Sequence, residues 1–275
     1  MSERDESAYE TREDYDRSRV MPAQRRLEIS ELFDDRPVVR IDELASRFGV
    51  SRETIRRDLI SLENRGLVQR VHGGGVRPEV DSREPPFQER LALRTPQKTA
   101  MAKVAAKLIA DAGTIFLDLG TSVAHITDVI PQGFSGQVIT NSILAASRLG
   151  QRDHIDVTVC GGRMRHGDLA LSGPHALEFL NDVFVEVAFL GSGGVHPTHG
   201  LTDFYPDEVA TRRVVIGNAR FAYIMADSSK IGKVATQRVC PLDQLTGIIT
   251  DSEADPSLIR DLRNTGVEVH VAELT

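Results

Sequence analysis

Residues 41–75 read IDELASRFGVSRETIRRDLISLENRGLVQRVHGGG, and this stretch decides the fold of the first part of the chain. Its apolar residues recur at the spacing of an amphipathic helix in two successive runs. The first run consists of Ile41, Leu44, Ala45 and Phe48, and the second of Ile55, Leu59 and Leu62. Gly49 is typical of a helix end and Ser51 of an N-cap, so the stretch predicts two helices joined by a tight turn.

The residues on either side of these helices extend the unit. A helix is expected from Pro22 and a short strand at 38–40, while residues 67–71 are typical of a strand and 72–75 of a glycine-rich turn. Two helices joined by a glycine turn and followed by such a wing form the geometry with which proteins read DNA. We therefore predict a winged helix-turn-helix domain over residues 22–77, with the helix-turn-helix at 39–58.

The second helix of the pair presents an arginine-rich face. If Ile55 points to the core, Arg57 lies almost opposite it. The side chains expected to read base edges are Ser51, Arg52, Glu53, Thr54 and Arg57. Those expected to contact phosphates are Arg56, Arg70 and His72, with the backbone amides of Gly73, Gly74 and Gly75. Asp58 lies nearer the core side, and we interpret it as the structural partner of an arginine. A solvated helix face is the alternative interpretation of Arg56 and Arg57.

The charge distribution favours a nucleic-acid partner for this region. The whole chain has a formal net charge of −7, whereas residues 51–78 contain six Arg, no Lys and three acids. A basic island in an acidic chain is a local electrostatic footprint that the overall charge conceals. The planar fork of arginine suits phosphates and guanine edges. Trp is absent, so an aromatic stacking platform for single strands is disfavoured.

The remainder of the chain alternates between strand-like and helical stretches. The strand-like runs lie at 114–117, 137–140, 155–160, 186–190, 222–226, 245–250 and 267–271. Such alternation predicts a mostly parallel sheet that is covered by helices on both faces. We expect a disordered acidic arm at 1–20, a linker at 78–97 that includes a short helix near 87–93, and the α/β domain at 98–275. An alanine-rich helix is expected from Lys98 to about Asp111.

Polar loops follow five of the predicted strands. They are Asp118–Ser122, Thr140–Ser142, Gly161–Arg163, Gly191–Gly194 and Asp227–Lys230. In a parallel sheet the loops at the carboxyl ends of the strands share one crevice. Glycine turns, hydroxyls and backbone N–H groups there suit an anion, and the lysine of the last loop can reach it. The chain contains neither G-x-x-x-x-G-K-[ST] nor G-x-G-x-x-G, which disfavours a nucleotide or dinucleotide site.

These motifs resemble those of the DeoR/GlpR family of bacterial transcriptional regulators. In the N-terminal part the resemblance rests above all on Val50-Ser51-x-x-Thr54-Ile55-Arg56-Arg57-Asp58-Leu59. Over about residues 90–250 the matching positions are Lys98, Gly120-Thr121-Ser122, Thr140-Asn141-Ser142, Gly161-Gly162, Gly200-Leu201-Thr202 and Asp227-x-x-Lys230.

The resemblance implies an effector domain that is similar in fold to ribose-5-phosphate isomerase and the CoA-transferases and that binds a phosphorylated sugar as inducer. The residues expected at the effector site are Lys98, Asp118, Gly120, Thr121, Ser122, Thr140, Asn141, Ser142, Gly161, Gly162, Arg163, Gly193, Asp227 and Lys230. We predict a repressor of carbohydrate-metabolism genes that binds double-stranded operator DNA as a homo-oligomer, a dimer or a tetramer. The sugar phosphate is expected to release it.

Two other functions stay open at this point. An enzyme such as a sugar-phosphate isomerase would use Asp203, Asp207 or Glu208 as a general base. A DNA-binding protein with a vestigial sensor is the other alternative. His196, His199 and Asp203 share a loop, but two loop histidines are more often ordinary polar residues than metal ligands. We expect no cofactor, no metal and no catalytic residue.

The sequence also bears on the compartment. No apolar run approaches the ~18 residues of a membrane helix, and the charged N-terminus has no apolar segment typical of a secretory signal. Cys160 and Cys240 are expected to be reduced, buried thiols. We therefore expect a cytoplasmic protein without a membrane partner.

Overall fold

The computed structural model describes residues 21–36, 38–64, 67–76, 84–109 and 112–274. The chain divides into two units, Met1–Glu79 and Val80–Thr275. The acidic arm expected at residues 1–20 lies outside the described residues.

The N-terminal unit combines helices with a small antiparallel sheet. The helices are α1 (Pro22–Asp35), α2 (Ile41–Phe48) and α3 (Arg52–Asn64), and the strands are β1 (Val38–Arg40), β2 (Gln69–Val71) and β3 (Gly74–Val76). The strand order is β1-β3-β2, so β3 has a neighbour on each side. The predicted winged helix-turn-helix is confirmed.

Local chemistry explains the two central helices of this unit. Gly49 has a φ of 63°, a left-handed conformation that favours glycine and ends α2. The Ser51 hydroxyl accepts a hydrogen bond from the Thr54 N–H at 3.1 Å and so caps the start of α3. The predicted apolar runs join residues of α1 and the wing in one core, whose buried members are Ile29, Phe33, Val39, Leu44, Phe48, Ile55, Leu59, Leu62 and Val68.

A seven-stranded parallel sheet forms the centre of the C-terminal unit. Its strands are β4 (Thr114–Leu117), β5 (Gln137–Thr140), β6 (Asp156–Val159), β9 (Val185–Leu190), β12 (Ala219–Met225), β14 (Gly247–Asp251) and β15 (Glu268–Ala272). Their order is β15-β14-β12-β9-β4-β5-β6, and all neighbours are parallel. Each of the seven predicted strand-like runs contributes one of these strands, so the predicted fold class is confirmed.

Shorter strands and the helices complete this unit. A hairpin pairs β7 (Arg163–Arg165) with β8 (Ala170–Ser172), and a small antiparallel sheet has the order β10 (Gly194–His196), β11 (Gly200–Asp203), β13 (Gln237–Cys240). The helices are α4 (Phe87–Ala92), α5 (Thr95–Ile109), α6 (Thr121–Ala124), α7 (Ile126–Val129), α8 (Ile143–Leu149), α9 (Pro174–Asn181), α10 (Pro206–Asn218) and α11 (Pro256–Asn264).

The two faces of the large sheet have separate apolar cores, because alternate residues of a strand point to opposite faces. In β4, Phe116 packs with residues of α9, α10 and α11. Ile115 and Leu117 instead pack with residues of α5, α6, α7 and α8. The chain leaves β4 towards β5 and β6 on one side, and β9 starts the run towards β15 on the other. The strand order therefore reverses between β4 and β9, which is where ligands bind in open sheets of this kind.

The predicted linker needs a correction. The structure places residues 84–97 in the C-terminal unit, where they form α4 and the first turn of α5, and Phe87 is buried there. Pro85 and Pro86 instead precede α4, and Arg90 and Arg94 form ion pairs with Asp168 and Asp227 of the α/β unit. Helix α5 starts at Thr95, three residues before the predicted start, and the predicted short helix near 87–93 is α4.

Two further expectations concern the cysteines and membrane helices. Cys160 and Cys240 are buried and free, and burial raises the pKa of Cys160 to about 11 and that of Cys240 to about 12. Both thiols therefore stay protonated at neutral pH. Among the described residues, no helix is long and apolar enough to cross a membrane.

Candidate functional site

The predicted base-reading face of α3 is exposed. The side chains of Arg52 and Arg57 are 67% and 79% accessible to solvent. Arg52 pairs with Asp42 at 2.7 Å, and Glu53 lies 3.5 Å from Arg56 and 3.7 Å from Arg57. Exposed pairs of this kind contribute little to stability, so the guanidinium groups can exchange these partners for phosphates or base edges.

Asp58 has the structural role expected of it. Its Oδ2 accepts a hydrogen bond from Arg25 Nε at 2.6 Å, and both side chains are buried. The pair joins α1 to α3 beneath the exposed arginines. Asp58 thus positions α3 and is turned away from the surface that would meet DNA.

The wing orients one of the predicted phosphate contacts. Glu63 accepts hydrogen bonds from the Arg70 N–H at 3.0 Å and from Arg70 Nε at 2.5 Å. Partial burial would raise the pKa of Glu63, but the bonds from Arg70 hold it below its ordinary value. Arg70 is therefore tied to the end of α3, while His72 and Gly73 form the exposed tip of the β2–β3 hairpin.

Gly74 and Gly75 are in β3 and not in the predicted turn, which requires a correction to their role. A Cβ atom on Gly74 would lie 2.3 Å from the carbonyl oxygen of Val39 in β1. One on Gly75 would lie 2.6 Å from Val68 Cγ1 and 2.9 Å from Phe33 Cζ. Both glycines are buried, so the close packing of β3 accounts for them without any phosphate.

We expect Gly74→Ala to destabilise the N-terminal unit by about 1–3 kcal/mol, because the methyl group collides with backbone and forces β1 and β3 apart. Hydrogen exchange of the α3 amides without DNA should accelerate accordingly. His72→Ala, at the exposed tip, is the control and should leave this exchange unchanged. If the exchange of the α3 amides is unchanged in Gly74→Ala, close packing does not account for this glycine, and its predicted phosphate contact is the remaining explanation.

The C-terminal unit gathers polar groups where the strand order reverses. Asp118 follows β4, and its Oδ1 accepts a hydrogen bond from Asn141 Nδ2, after β5, at 3.0 Å. Its Oδ2 accepts one from the Gly191 N–H, after β9, at 3.0 Å. Three loops that were predicted to share a crevice are thus joined through one buried carboxylate.

Arg212 is the second residue, after Asp118, that connects several polar groups of this crevice. The sequence analysis did not predict it. This fully buried side chain of α10 donates to Asp118 at 2.6 Å, to Glu208 at 3.2 Å and to Asp203. Burial alone would lower the pKa of Arg212, but the three carboxylates raise it far above its ordinary value. In the sequence, the spacing of four residues between Glu208 and Arg212 could have indicated an ion pair between them on one face of a helix.

Glu208 has a second cationic partner. Arg165 Nη1 forms an ion pair with it, and the Arg165 guanidinium lies 3.7 Å from the centre of the Tyr205 ring. Burial raises the pKa of Glu208 to about 7, although Arg212 and Arg165 favour the charged form. The crevice wall therefore contains two arginines that the sequence analysis did not select.

The two predicted effector lysines are bound to main-chain carbonyl groups. Lys98 Nζ donates to the Leu93 oxygen at 2.8 Å and to the Arg90 oxygen, whereas Lys230 Nζ donates to the Ser192 oxygen. Burial lowers the pKa of Lys98 to about 8 and also lowers that of Lys230. The ammonium groups are close enough to repel each other, and Asp227 lies near both. Lys98, which is buried, and Lys230, which is partly buried, thus form a cationic pair with Asp227 nearby.

Several predicted effector residues shape the loops. The Thr140 hydroxyl donates to the Leu117 oxygen at 2.6 Å, and the Ser142 hydroxyl caps α8 by accepting from the Ala145 N–H. Thr121 and Ser122 are buried in the first turn of α6, directly after Gly120. In the part of the chain that the structure describes, Asn141 Oδ1 is buried and has no hydrogen-bond partner. This acceptor is available to a ligand hydroxyl.

Other predicted residues are elsewhere or have a packing role. Gly161, Gly162 and Arg163 follow the edge strand β6, and Arg163 is exposed and forms no ion pair within the described residues. A Cβ atom on Gly193 would lie 2.9 Å from the Asp203 Cα, so this glycine permits close packing. The described residues contain no group of three His, Cys, Asp or Glu side chains that could hold a metal.

A winged helix-turn-helix joined to a parallel α/β unit with a polar crevice defines a DNA-binding transcriptional regulator of the ligand-sensing type. Family models agree with both halves. Residues 25–80 match the DeoR-like helix-turn-helix domain, and residues 94–252 match the DeoR C terminal sensor domain. The chain belongs to the DeoR family of transcriptional regulators.

Curated relatives match along almost their whole length. The HTH-type transcriptional regulator GlpR of Haloferax volcanii is 30% identical over 91% of this chain and 98% of its own. The uncharacterized regulator YulB of Bacillus subtilis is 32% identical over 93% and 99%. The glycerol-3-phosphate regulon repressor of Escherichia coli is 28% identical over 90% and 98%.

Solved structures give a weaker match. Ribose 5-phosphate isomerase A of Methanocaldococcus jannaschii aligns with 48% of this chain and 52% of its own, at 22% identity and a TM-score of 0.36. A likeness of this size carries no argument about activity.

Proposed function

We propose that the protein is a cytoplasmic repressor of carbohydrate-metabolism genes and that a phosphorylated sugar in the C-terminal crevice releases it from its operator. The observation that carries the effector class is the cationic pair Lys98 and Lys230, together with the unpaired acceptor Asn141 Oδ1 on a loop of the same edge of the sheet. Two ammonium groups in a partly desolvated crevice suit the double charge of a phosphate. A neighbouring unsatisfied acceptor suits a sugar hydroxyl, because leaving such an acceptor unpaired costs free energy.

The relatives support the same class of effector. The E. coli relative is named for the glycerol-3-phosphate regulon, which connects a protein of the same family with a small phosphorylated metabolite. This chain has a lysine at positions 98 and 230 and a hydroxyl side chain at positions 121 and 122. The identity of its own sugar depends on the shape of the crevice, so the experiment below uses a panel.

The exposed α3 face is proposed to read the operator. The first turn of a recognition helix meets base edges, so we assign base contacts to the residues there, which are Ser51, Arg52, Glu53, Thr54 and Arg57. We propose phosphate contacts for Arg56, Arg70, His72 and Gly73. A homo-oligomer would place two such helices on half-sites separated by about one turn of DNA or a multiple of it.

We expect Arg57→Ala to weaken operator binding by about 1–3 kcal/mol and to relax the sequence preference, because it removes a base-edge contact. Arg56→Ala is the matched comparison, one residue away on the same helix. It should weaken binding to operator and scrambled DNA equally, since a phosphate contact carries no sequence information. Anisotropy titrations with both DNAs measure the difference. Equal affinity and preference in Arg57→Ala and the wild type would remove Arg57 from the reading surface.

The experiment that tests the proposed function measures anisotropy with the DNA immediately upstream of the protein's own coding region. The control is a scrambled duplex, and the salt concentration is fixed because phosphate contacts dominate affinity. Triose, pentose and hexose phosphates are then titrated into the complex. Specific binding that one compound reverses supports the proposal. Equal weak binding to both DNAs that no compound alters would contradict it.

An isomerase is the second candidate, and one observation favours it. Burial raises the pKa of Glu208 to about 7, which suits a general base. However, Glu208 pairs with both Arg165 and Arg212, so its carboxylate is engaged in the crevice wall. Turnover of a pentose or hexose phosphate by the purified protein would support an enzyme, and its absence in the presence of effector binding would support the regulator.

A further inference from the structure

The segment from Glu84 to Arg94, which we name the strap, is bound to the crevice loops by charge. It contains α4, and this helix packs against α6, where Thr121 and Ser122 are located. At its far end Arg94 lies 3.3 Å from Asp227 and 2.7 Å from Glu253. The strap therefore contacts loops from two different parts of the large sheet.

The near end of the strap brings a carboxylate into the crevice. Glu84 pairs with Arg90 Nη1 at 2.7 Å, and both side chains are about nine-tenths buried. Arg90 Nη2 also lies 3.6 Å from Asp168 in the β7–β8 hairpin. Burial raises the pKa of Glu84, while Arg90, Lys230 and Arg212 attract its charge. Glu84 is thus a buried anion within the electrostatic reach of the proposed phosphate-binding lysine.

The carboxyl end of α4 binds the other lysine, Lys98. The oxygens of Arg90 and Leu93 accept hydrogen bonds from Lys98 Nζ, which is buried. A dianionic phosphate would make stronger, charge-assisted bonds to that ammonium group than two neutral carbonyls do. The α4 carbonyls that bind Lys98, and the charge of Glu84 within electrostatic reach of Lys230, are weaker substitutes for one ligand group.

We propose that the strap is a built-in competitor of the effector, in which the α4 carbonyls bind Lys98 and the nearby Glu84 carboxylate offsets the charge of Lys230, the two cations that the phosphate must bind. This inference rests on the proposed function. Binding of the phosphate withdraws Lys98 from the α4 carbonyls and loosens the hold of the strap on the unit. Along the chain, Glu84 follows the N-terminal unit, which ends at Glu79, by five residues. The loosened segment is therefore the one that leads directly to the DNA-binding unit.

The test uses the full-length protein, its Glu84→Gln variant and Glu89→Gln as the matched control. Glu89 carries the same charge on the same helix but is exposed. Calorimetric titrations use inorganic phosphate, glucose 6-phosphate, ribose 5-phosphate and glycerol 3-phosphate. Hydrogen exchange of peptides that cover residues 84–94 reports the strap itself. Lys230→Ala is included to locate the binding.

We expect Glu84→Gln to bind the responsive compound about tenfold more tightly than the wild type, because the competent state no longer has to displace a carboxylate. Glu89→Gln should match the wild type. The strap amides of the wild type should exchange faster when the compound is bound, and in Glu84→Gln they should already exchange faster without it.

Two results overturn the inference in distinguishable ways. If Lys230→Ala abolishes binding while Glu84→Gln binds like the wild type and the strap exchange does not change, the strap is not a competitor and the proposed function stands. If neither the wild type nor Glu84→Gln binds any of the four probes, the proposed effector class fails and the strap inference fails with it.

Discussion

Replacing Arg212 with leucine is expected to destabilise the C-terminal unit by about 3–5 kcal/mol, because it leaves several buried carboxylates without their cation. Asp118, Asp203 and Glu208 are almost fully buried around this one guanidinium group. For a unit of this size the melting temperature should fall by roughly 6–20 °C, at about 2–4 °C for each kcal/mol. Differential scanning calorimetry of the full-length protein measures the loss.

The pH dependence provides an independent check on this prediction. Burial raises the pKa of Glu208 to about 7 and Arg212 opposes that rise, so the pKa of Glu208 is expected to rise further in Arg212→Leu. A carboxyl group whose folded pKa lies above its unfolded value loses stability as the pH rises through the folded pKa, so the loss in this variant grows with pH. The loss at pH 8 should therefore exceed that at pH 5.5. Arg213→Leu is the control, since Arg213 is exposed and donates to the main-chain oxygens of Val239 and Arg238. A loss in Arg212→Leu no greater than in this control would show that the three carboxylates do not depend on Arg212.

Lys230→Ala is expected to abolish release from the operator while effector-free DNA binding keeps its wild-type affinity. The lysine lies in the crevice and not in the N-terminal unit, so its loss removes differential binding of the effector and leaves the DNA contacts unchanged. The Lys230 ammonium group is largely desolvated and donates to the Ser192 oxygen. The alanine variant therefore lacks the positive charge that would bind the effector, and a neutral water molecule cannot supply it. The measurement repeats the sugar-phosphate titration of the DNA complex up to a hundred times the wild-type midpoint concentration.

Lys233→Ala is the matched control for that experiment. It removes a lysine three residues away that is exposed and lies outside the crevice loops. This variant should respond like the wild type. Release of Lys230→Ala at the wild-type midpoint would exclude Lys230 from the effector site.

The sequence was sufficient for the parts of the fold that depend on local periodicity. The apolar spacing of Ile41 to Leu62 predicted α2 and α3, and Gly49 and Ser51 predicted their boundaries. The seven strand-like runs predicted the large sheet because buried parallel strands are continuous apolar runs. The arginine-rich face of α3 could be predicted equally well from the sequence, since it follows from the same helical period.

Contacts between side chains that are far apart in the sequence could not be predicted in this way. Arg212 and Asp118 are 94 residues apart, and no local pattern shows that an arginine is buried. Gly74 and Gly75 looked like a turn because their packing against Val39 and Phe33 is a tertiary contact. Residues 84–97 looked like a linker for the same reason, because the ion pairs of Arg90 and Arg94 join distant parts of the chain. The proposed DNA-binding and effector residues stay predictions.

The buried ion cluster around Arg212 has a consequence for how this sensor can diversify. The cluster fixes the loops after β4 and β9 and the start of α10 relative to one another without any ligand. A ligand at the proposed effector site would therefore meet walls that are already ordered, and little of its binding free energy would be spent on immobilising them. Substitutions on the crevice lining can then alter which metabolite fits while the supporting scaffold stays the same. Lining positions outside the ion cluster can thus vary at little cost to folding, whereas Asp118, which belongs to the cluster, cannot.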